Sequence, residues 1–445
     1  MKQYLPFKLP AYEQQYLHIA MPAAMEGIFM ILLSSVDIIM VSSLGLSAVA
    51  AVSIFTQPRM MLLTVARSIA SALTLLSAQR YGAARPYEAL DFTGKTLVLT
   101  AVVLGAAHIG FFLYLADILL WMGADPSYLS LALDYGNLAL IGVFLTSLTA
   151  VLQAVLLGFG QTAVVMRTNI QGNVLNVFGN ALFIFGLGPF PELGVTGAAV
   201  GTLIGTSWSL FATLAYMRHQ SVLPRTFFPD AAYFRAFLPV FGGIFGEQGC
   251  ERIGMVLYTR LVAELGVLPY AVHAICMNFC DFYYSFAGGM GKASMVLAGQ
   301  ARGASNARLW QDSLRAGLKW GLFFSVISCA LTIGLREEIF TLYSSDAEAL
   351  PLGSLIFLFV GIVSFPEAHA LICAGALRGS GRTTEVAAYS FVSIAVLRPI
   401  ITAFLLHDLA LGLPGAWLAL AIDQTLRAAC ASFLLWRERQ RILSG

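Results

Sequence analysis

Carboxylates and side-chain amides set inside long apolar stretches are the groups of this 445-residue chain that can do chemistry. In the first half, Glu26 and Asp37 fall in the first stretch, and Asn169, Asn173, Asn176 and Asn180 in the fifth. Asn176 and Asn180 are four residues apart and share a helix face. With Asp37 they offer one carboxylate and two amide oxygens, the hard donors that a small cation prefers. Hydrogen bonding between helices is the plainer use of the amides alone; Asp37 beside them points to an ion or proton site. The second half is more crowded, with Glu247, Glu251 and Arg252 in the seventh stretch, Asp281 and Lys292 in the eighth, Glu367 in the tenth, and Asp423 and Arg427 in the twelfth. A charge at the bilayer centre costs about 2.5–3.5 kcal/mol on insertion scales, so each such residue is a candidate for function at a cavity. Glu247 and Glu251, one turn apart, compete for charge in the same space, which suits proton exchange. The plainer reading pairs Asp281 with Lys292, and Asp423 with Arg427, as structural ion pairs. Glu251 and Glu367 have no such partner within their own helices.

The elements that must carry these residues follow from composition. Hydrophobic residues make up 58% of the chain, charged residues 11%, and the mean hydropathy is +0.78. Ordinary soluble domains carry about 25% charged residues, so the chain belongs in a bilayer. Twelve apolar stretches approach the roughly 20 residues a spanning helix needs, centred near Leu33, Thr64, Val103, Ile141, Phe178, Ser207, Met255, Phe286, Phe324, Leu358, Ser393 and Ala419. The alternation of a membrane barrel is not visible. The expected fold is therefore an all-α integral membrane protein, with twelve transmembrane helices in two homologous six-helix lobes around a central cavity.

Two lobes follow from an internal repeat. A shift of 221 residues lays Leu44, Gly45, Gln79 and Gly82 on Leu265, Gly266, Gln300 and Gly303, and lays Gly158, Gly160 and Thr162 on Gly379, Gly381 and Thr383. Near the end of each half, LGVTGAA at 193–199 is similar to LGLPGAW at 411–417, offset by 218. An even number of spans separates the repeats, which makes them parallel, and transporters are often built from such halves. The division expected is an N-lobe over 1–217, a cytoplasmic linker over 218–235 and a C-lobe over 236–445. With both termini in the cytoplasm, inner loops collect Lys2, Lys8, Arg80, Arg85, Arg218, Arg225, Arg302, Arg308, Arg382, Arg437, Arg439 and Arg441, against mainly Arg59, Arg260 and Arg336 at outer loops and helix ends. The first apolar stretch lacks a signal-peptide cleavage pattern and is expected to remain as a helix. Six scattered cysteines imply neither disulfide nor metal site. No GxxxxGK[ST] loop follows a strand, which argues against coupling by ATP from this chain alone.

The motifs in their order resemble those of the MATE (multidrug and toxic compound extrusion) transporters, over essentially the whole chain. SVDIIMVSSLG puts Asp37 eight residues before Gly45, NVFGNALFIFG carries Asn176 and Asn180, and GVTGAAVGT brings in Thr202. In the second half, Glu251 stands fifteen residues before Gly266 and Glu367 eleven before Arg378, although the sodium-coupled bacterial branch more often has Asp in the latter place. Spacing from Pro239 selects Glu247 instead of Glu251, and both are kept. The resemblance implies a cation or proton site at Asp37, Asn176, Asn180 and Thr202, and a substrate and proton cavity lined by Glu247, Glu251, Asp281 and Glu367. Asn180 stands where an archaeal-type branch has Asp, which weakens a proton-only mechanism. Lys292 and Arg252 bring positive charge toward a cavity meant for cations, so zwitterions or anions enter as substrates if both face it.

The expected activity is antiport at the inner membrane of a bacterium or archaeon: a monomer, with no cofactor and no nucleic-acid partner, exports an amphipathic organic cation in exchange for Na⁺ or H⁺. Bending near Pro22, Pro239 and Pro366 would allow alternating access, and Met277, Phe282, Tyr283 and Tyr284 offer a tolerant apolar wall. The nearest rival is a flippase of the same superfamily for lipid-linked oligosaccharides, which a predominance of Arg over Glu in the cavity would favour. A membrane enzyme would need a clustered constellation, and His18, His108, His219, His273, His369 and His407 are scattered with no HExxH.

Overall fold

The structure, a computed structural model, describes residues 9–344 and 346–444; Lys2 and Lys8 lie outside them. Among the described residues there is no strand. Twelve long helices carry the chain: α1 Ala11–Ser42, α2 Leu46–Gly82, α3 Pro86–Leu113, α4 Pro126–Gly158, α5 Thr162–Phe185, α6 Val195–His219, α7 Ala231–Ala263, α8 Val267–Gly303, α9 Ala307–Gly334, α10 Ala349–Gly379, α11 Thr383–Asp408 and α12 Gly412–Ser444. Each contains one of the twelve apolar centres read from the sequence. Among the described residues, nine are long and apolar enough on that ground alone to cross a membrane. The other three, α5, α7 and α8, are the helices that hold most of the polar side chains singled out above. Two short helices, Leu115–Trp121 and Arg336–Tyr343, follow α3 and α9. In hydrocarbon every backbone N–H and C=O must find a partner within the chain, and a helix supplies it locally.

Helix ends are written in local chemistry. Asp125 accepts the Ser127 amide at 2.8 Å at the start of α4, and Asn306 accepts the Leu309 amide at 2.9 Å at the start of α9. The repeat is visible in the backbone. Gly45 and Gly266 have φ +100° and +95°, and Gly160 and Gly381 have +81° and +80°, conformations that disfavour a side chain. Close packing repeats as well: a Cβ at Gly158 would lie 2.7 Å from the Ser77 Cβ, and one at Gly379 would lie 2.6 Å from the Cβ of Ala298, the residue 221 positions after Ser77.

Contacts divide the chain into two compact units. The N-terminal unit holds Ile28–Tyr81 and Arg85–Phe241, and the C-terminal unit holds the described residues from Gly242 onward, Gly82–Ala84 and the part of α1 up to Gly27. The first helix therefore contributes to both. The N-terminal unit packs Phe55, Leu62, Tyr135, Leu140 and Ile184 in its core, and the C-terminal unit packs Tyr258, Phe340, Phe357 and Trp417. Large apolar side chains such as Ile39, Val102, Ile109 and Phe178 are exposed, as they are in a chain whose outer surface meets lipid.

Candidate functional site

In the N-terminal unit, the α5–α6 crossing sets the geometry. Gly197, Gly201 and Gly205 recur every four residues on α6 and let α5 approach closely: a Cβ at Gly205 would lie 2.7 Å from the Asn176 Cβ, and one at Gly201 would overlap the Asn180 Oδ1. Asn176 and Asn180 are buried at this crossing, with 6% and 1% exposure. Asn180 Nδ2 donates to Asp37 Oδ1 at 2.8 Å. With the Asn176 amide turned so that each end meets a complementary partner, its nitrogen donates to Asp37 Oδ2 at 3.0 Å and its oxygen accepts from the Thr202 amide at 2.9 Å and hydroxyl at 3.1 Å. Asp37, Asn176, Asn180 and Thr202 thus form one cluster. No basic side chain lies within ion-pair distance of Asp37 among the described residues. The Asn180 Oδ1 is buried and has no donor.

Asn169 and Asn173 belong elsewhere. Asn169 exchanges hydrogen bonds with Gln153, at 2.7 and 3.1 Å, and Asn173 donates to its own helix at Asn169 O, so these two serve interhelical and local bonding. Arg59, counted with outer loops and helix ends, lies within α2, in electrostatic range of Asp37 and Tyr135, because α2 continues well past Pro58.

The C-terminal unit brings together acids and arginines. Glu247 is 6% exposed and paired with Arg378 at 3.2 Å. Glu251 accepts the Tyr284 hydroxyl at 3.0 Å and has no ion-pair partner among the described residues. Tyr283, one residue earlier, is tied to the Ser364 carbonyl at 2.9 Å. Glu367 lies within electrostatic reach of Arg427, Arg398, Glu251 and Asp281. Asp281 is exposed and electrostatically closest to Arg252; it makes no ion pair with Lys292, which is also exposed. Asp423 does not pair with Arg427. Its carboxylate is taken by Arg398 and by the Ser393 hydroxyl, and Arg427 is left with Gln424 at 3.5 Å. Arg398 is only 3% exposed. It follows a π-helical segment, Phe391–Leu397, whose wider turn alters which residues face α12. A cavity of about 270 Å³ in this unit is lined by Ser325, Pro366, His369 and Ala428 and by none of the predicted acids.

A family model described as MatE matches residues 22–182 and again 244–404, so each half of the chain carries its own copy. The chain belongs to the MATE family. A probable multidrug resistance protein NorM of Thermotoga maritima is 25% identical over 440 residues, spanning 96% of this chain and 93% of that protein. Two solved structures share the fold. An outward-facing multidrug resistance MATE family transporter of the MOP superfamily has TM-score 0.89 at 20% identity, covering 98% of this chain and 97% of that one. A MOP superfamily transporter of Pyrococcus furiosus, described as having a binding pocket of reverse polarity, has TM-score 0.87 at 21% identity, covering 97% and 96%. MATE proteins are multi-pass membrane transporters rather than enzymes, and this chain is one of them. Within this MATE protein, what the sequence reading missed is Arg398 and the hydrogen bond by which the Tyr284 hydroxyl, read as part of an apolar wall, meets Glu251. An arginine inside the eleventh apolar stretch was the available signal for Arg398.

Proposed function

We propose that this MATE transporter exports amphipathic organic cations in exchange for Na⁺ or H⁺, acting as a monomer in the inner membrane of a bacterium or archaeon with both termini in the cytoplasm. The observation that carries the proposal is the setting of Asp37: its carboxylate is held by the amides of Asn176 and Asn180 and by no fixed cation within ion-pair distance, while Asn180 keeps a buried oxygen without a donor. Amide ends can turn at little cost. Turned one way they hydrogen-bond the bare carboxylate; turned the other they join Asp37 and the Thr202 hydroxyl in an all-oxygen set for a small cation. A proton on Asp37 would serve the same exchange. Glu251 and Glu367, outside any ion pair, are the acids left to meet cargo, with Asp281 beside them and Glu247 committed to Arg378.

Coupling then follows from reciprocity: if the ion lowers the affinity for cargo, cargo lowers the affinity for the ion by the same factor. The names of the NorM relatives, which refer to multidrug resistance, support the cargo class. The flippase alternative gains no support from the charges, because the acids Glu247, Glu251, Asp281, Glu367 and Asp423 match the bases Arg252, Lys292, Arg378, Arg398 and Arg427 in number. The test is efflux of tetraphenylphosphonium from proteoliposomes under imposed Na⁺ or H⁺ gradients, with wild type, Asp37→Asn and Glu251→Gln. One gradient should drive transport in wild type and both substitutions should impair the coupling. Efflux indifferent to both gradients would overturn antiport.

A further inference from the structure

The arginines of the C-terminal unit are not equivalent. Arg398 is spent on Asp423, and Arg378 on Glu247. Arg427 is as deeply buried, at 5% exposure, yet no carboxylate lies within 4.0 Å of it among the described residues. Among the described residues its one hydrogen bond is a weak one to Gln424, and its Nε has no partner. Its electrostatic neighbours are Glu251, Asp423 and Glu367. Of these, Asp423 is already neutralised, and Glu251 and Glu367 are not in ion pairs.

Charge counting gives this arrangement a consequence. With both carboxylates ionised, two unpaired acids and one unpaired guanidinium sum to one net negative charge; Asp281 and Arg252, within electrostatic reach of each other, add one charge of each sign. We propose that Arg427 is a resident cation that sets the valence of the cargo: the cluster has room for a single further positive charge and therefore selects monovalent over divalent organic cations. The guanidinium is permanently charged, so its own share of this balance does not change with pH. A dication would bring one buried charge more than the acids can balance, at the heavy desolvation cost of an uncompensated ion. The inference rests on the proposed export of cations.

The experiment measures binding of tetraphenylphosphonium, a monocation, and dequalinium, an amphipathic dication, to the purified full-length protein. Arg427→Gln leaves two unbalanced carboxylates, and the affinity ratio of dication to monocation should rise at least about tenfold; Arg427→Lys, which keeps the charge, should leave the ratio near wild type. A second series does not depend on the folding of Arg427→Gln. Glu367→Gln removes the vacancy and should weaken monocation binding at least about tenfold, and the double substitution Glu367→Gln with Arg427→Gln should restore it. An unchanged ratio in folded Arg427→Gln, or loss in Glu367→Gln without rescue, overturns the proposal. If wild type binds tetraphenylphosphonium normally, that failure is confined to the role of Arg427; if wild type binds neither probe, the cation-export reading itself falls.

Discussion

The two halves share a backbone pattern and differ in the chemistry mounted on it. Moving 221 residues along the chain takes Asp37 to Tyr258, Asn176 to Leu397 and Asn180 to Ile401. Gly45 and Gly160, by contrast, move to glycines with nearly the same φ. Turns and close helix crossings were kept because no other residue fits them, whereas the polar positions were free to diverge. The outcome is a carboxylate solvated by neutral amides in the N-terminal unit and acids interleaved with arginines in the C-terminal unit. Amides can reorient around an arriving small ion. Arginines cannot lose their charge, so under the proposed function they would set the electrostatic balance that a larger ligand meets.

The sharpest way to break that contrast is to remove the amides. Asn180→Leu leaves Asp37 without its shortest donor and strips the buried oxygen from the site. Ion-driven transport should fall by about a hundredfold, the scale of losing more than one buried polar contact at a site, while tetraphenylphosphonium binding stays within about threefold of wild type. Parallel loss of binding and coupling would show that the two units do not divide the work.

Smaller in effect, and on the other side of the comparison, is the Arg398–Asp423 pair. With exposures of 3% and 0%, breaking it by Arg398→Leu should destabilise the protein by about 3–5 kcal/mol, because Asp423 is left buried and alone. Replacing both by leucine should recover most of the loss, read as the midpoint of thermal unfolding in detergent, with gradient-driven efflux retained. A double variant that folds but cannot transport would move this pair from architecture into mechanism.

The twelve helices and the first cluster were legible because their signals are local or lie at fixed spacing: apolar runs of spanning length, Asp37 eight residues before Gly45, and Asn176 four before Asn180. The pairing of acids with bases in the second half was not. Asp423 and Arg427 have helical spacing, yet the partner of Asp423 comes from α11, where a π segment carries Ser393 and leads into Arg398. A turn of that kind has no periodicity to read. Which of Glu247 and Glu251 is ion-paired likewise could not be read, because the partner, Arg378, lies more than a hundred residues away.

The mildest expected effect lies where neither cluster reaches, at the entry to α7. Asp230 accepts from Lys95 on α3 at 2.7 Å and from the Tyr233 amide at 2.7 Å, and these bonds, led by that from Lys95, hold its carboxyl below the ordinary carboxylate value. A lowered value in the folded state means that the contact stabilises the fold above the ordinary carboxylate range and is lost as pH falls through the lowered one. Exchange protection of the Tyr233 amide, corrected for the intrinsic rate, should therefore be constant near neutrality and decline below about pH 4. Asp230→Asn should flatten that decline, and gradient-driven efflux near neutral pH should be unchanged. A clear loss of efflux in Asp230→Asn would mean that the segment between α6 and α7 takes part in the transport cycle, and the contrast drawn between the two clusters would then be incomplete.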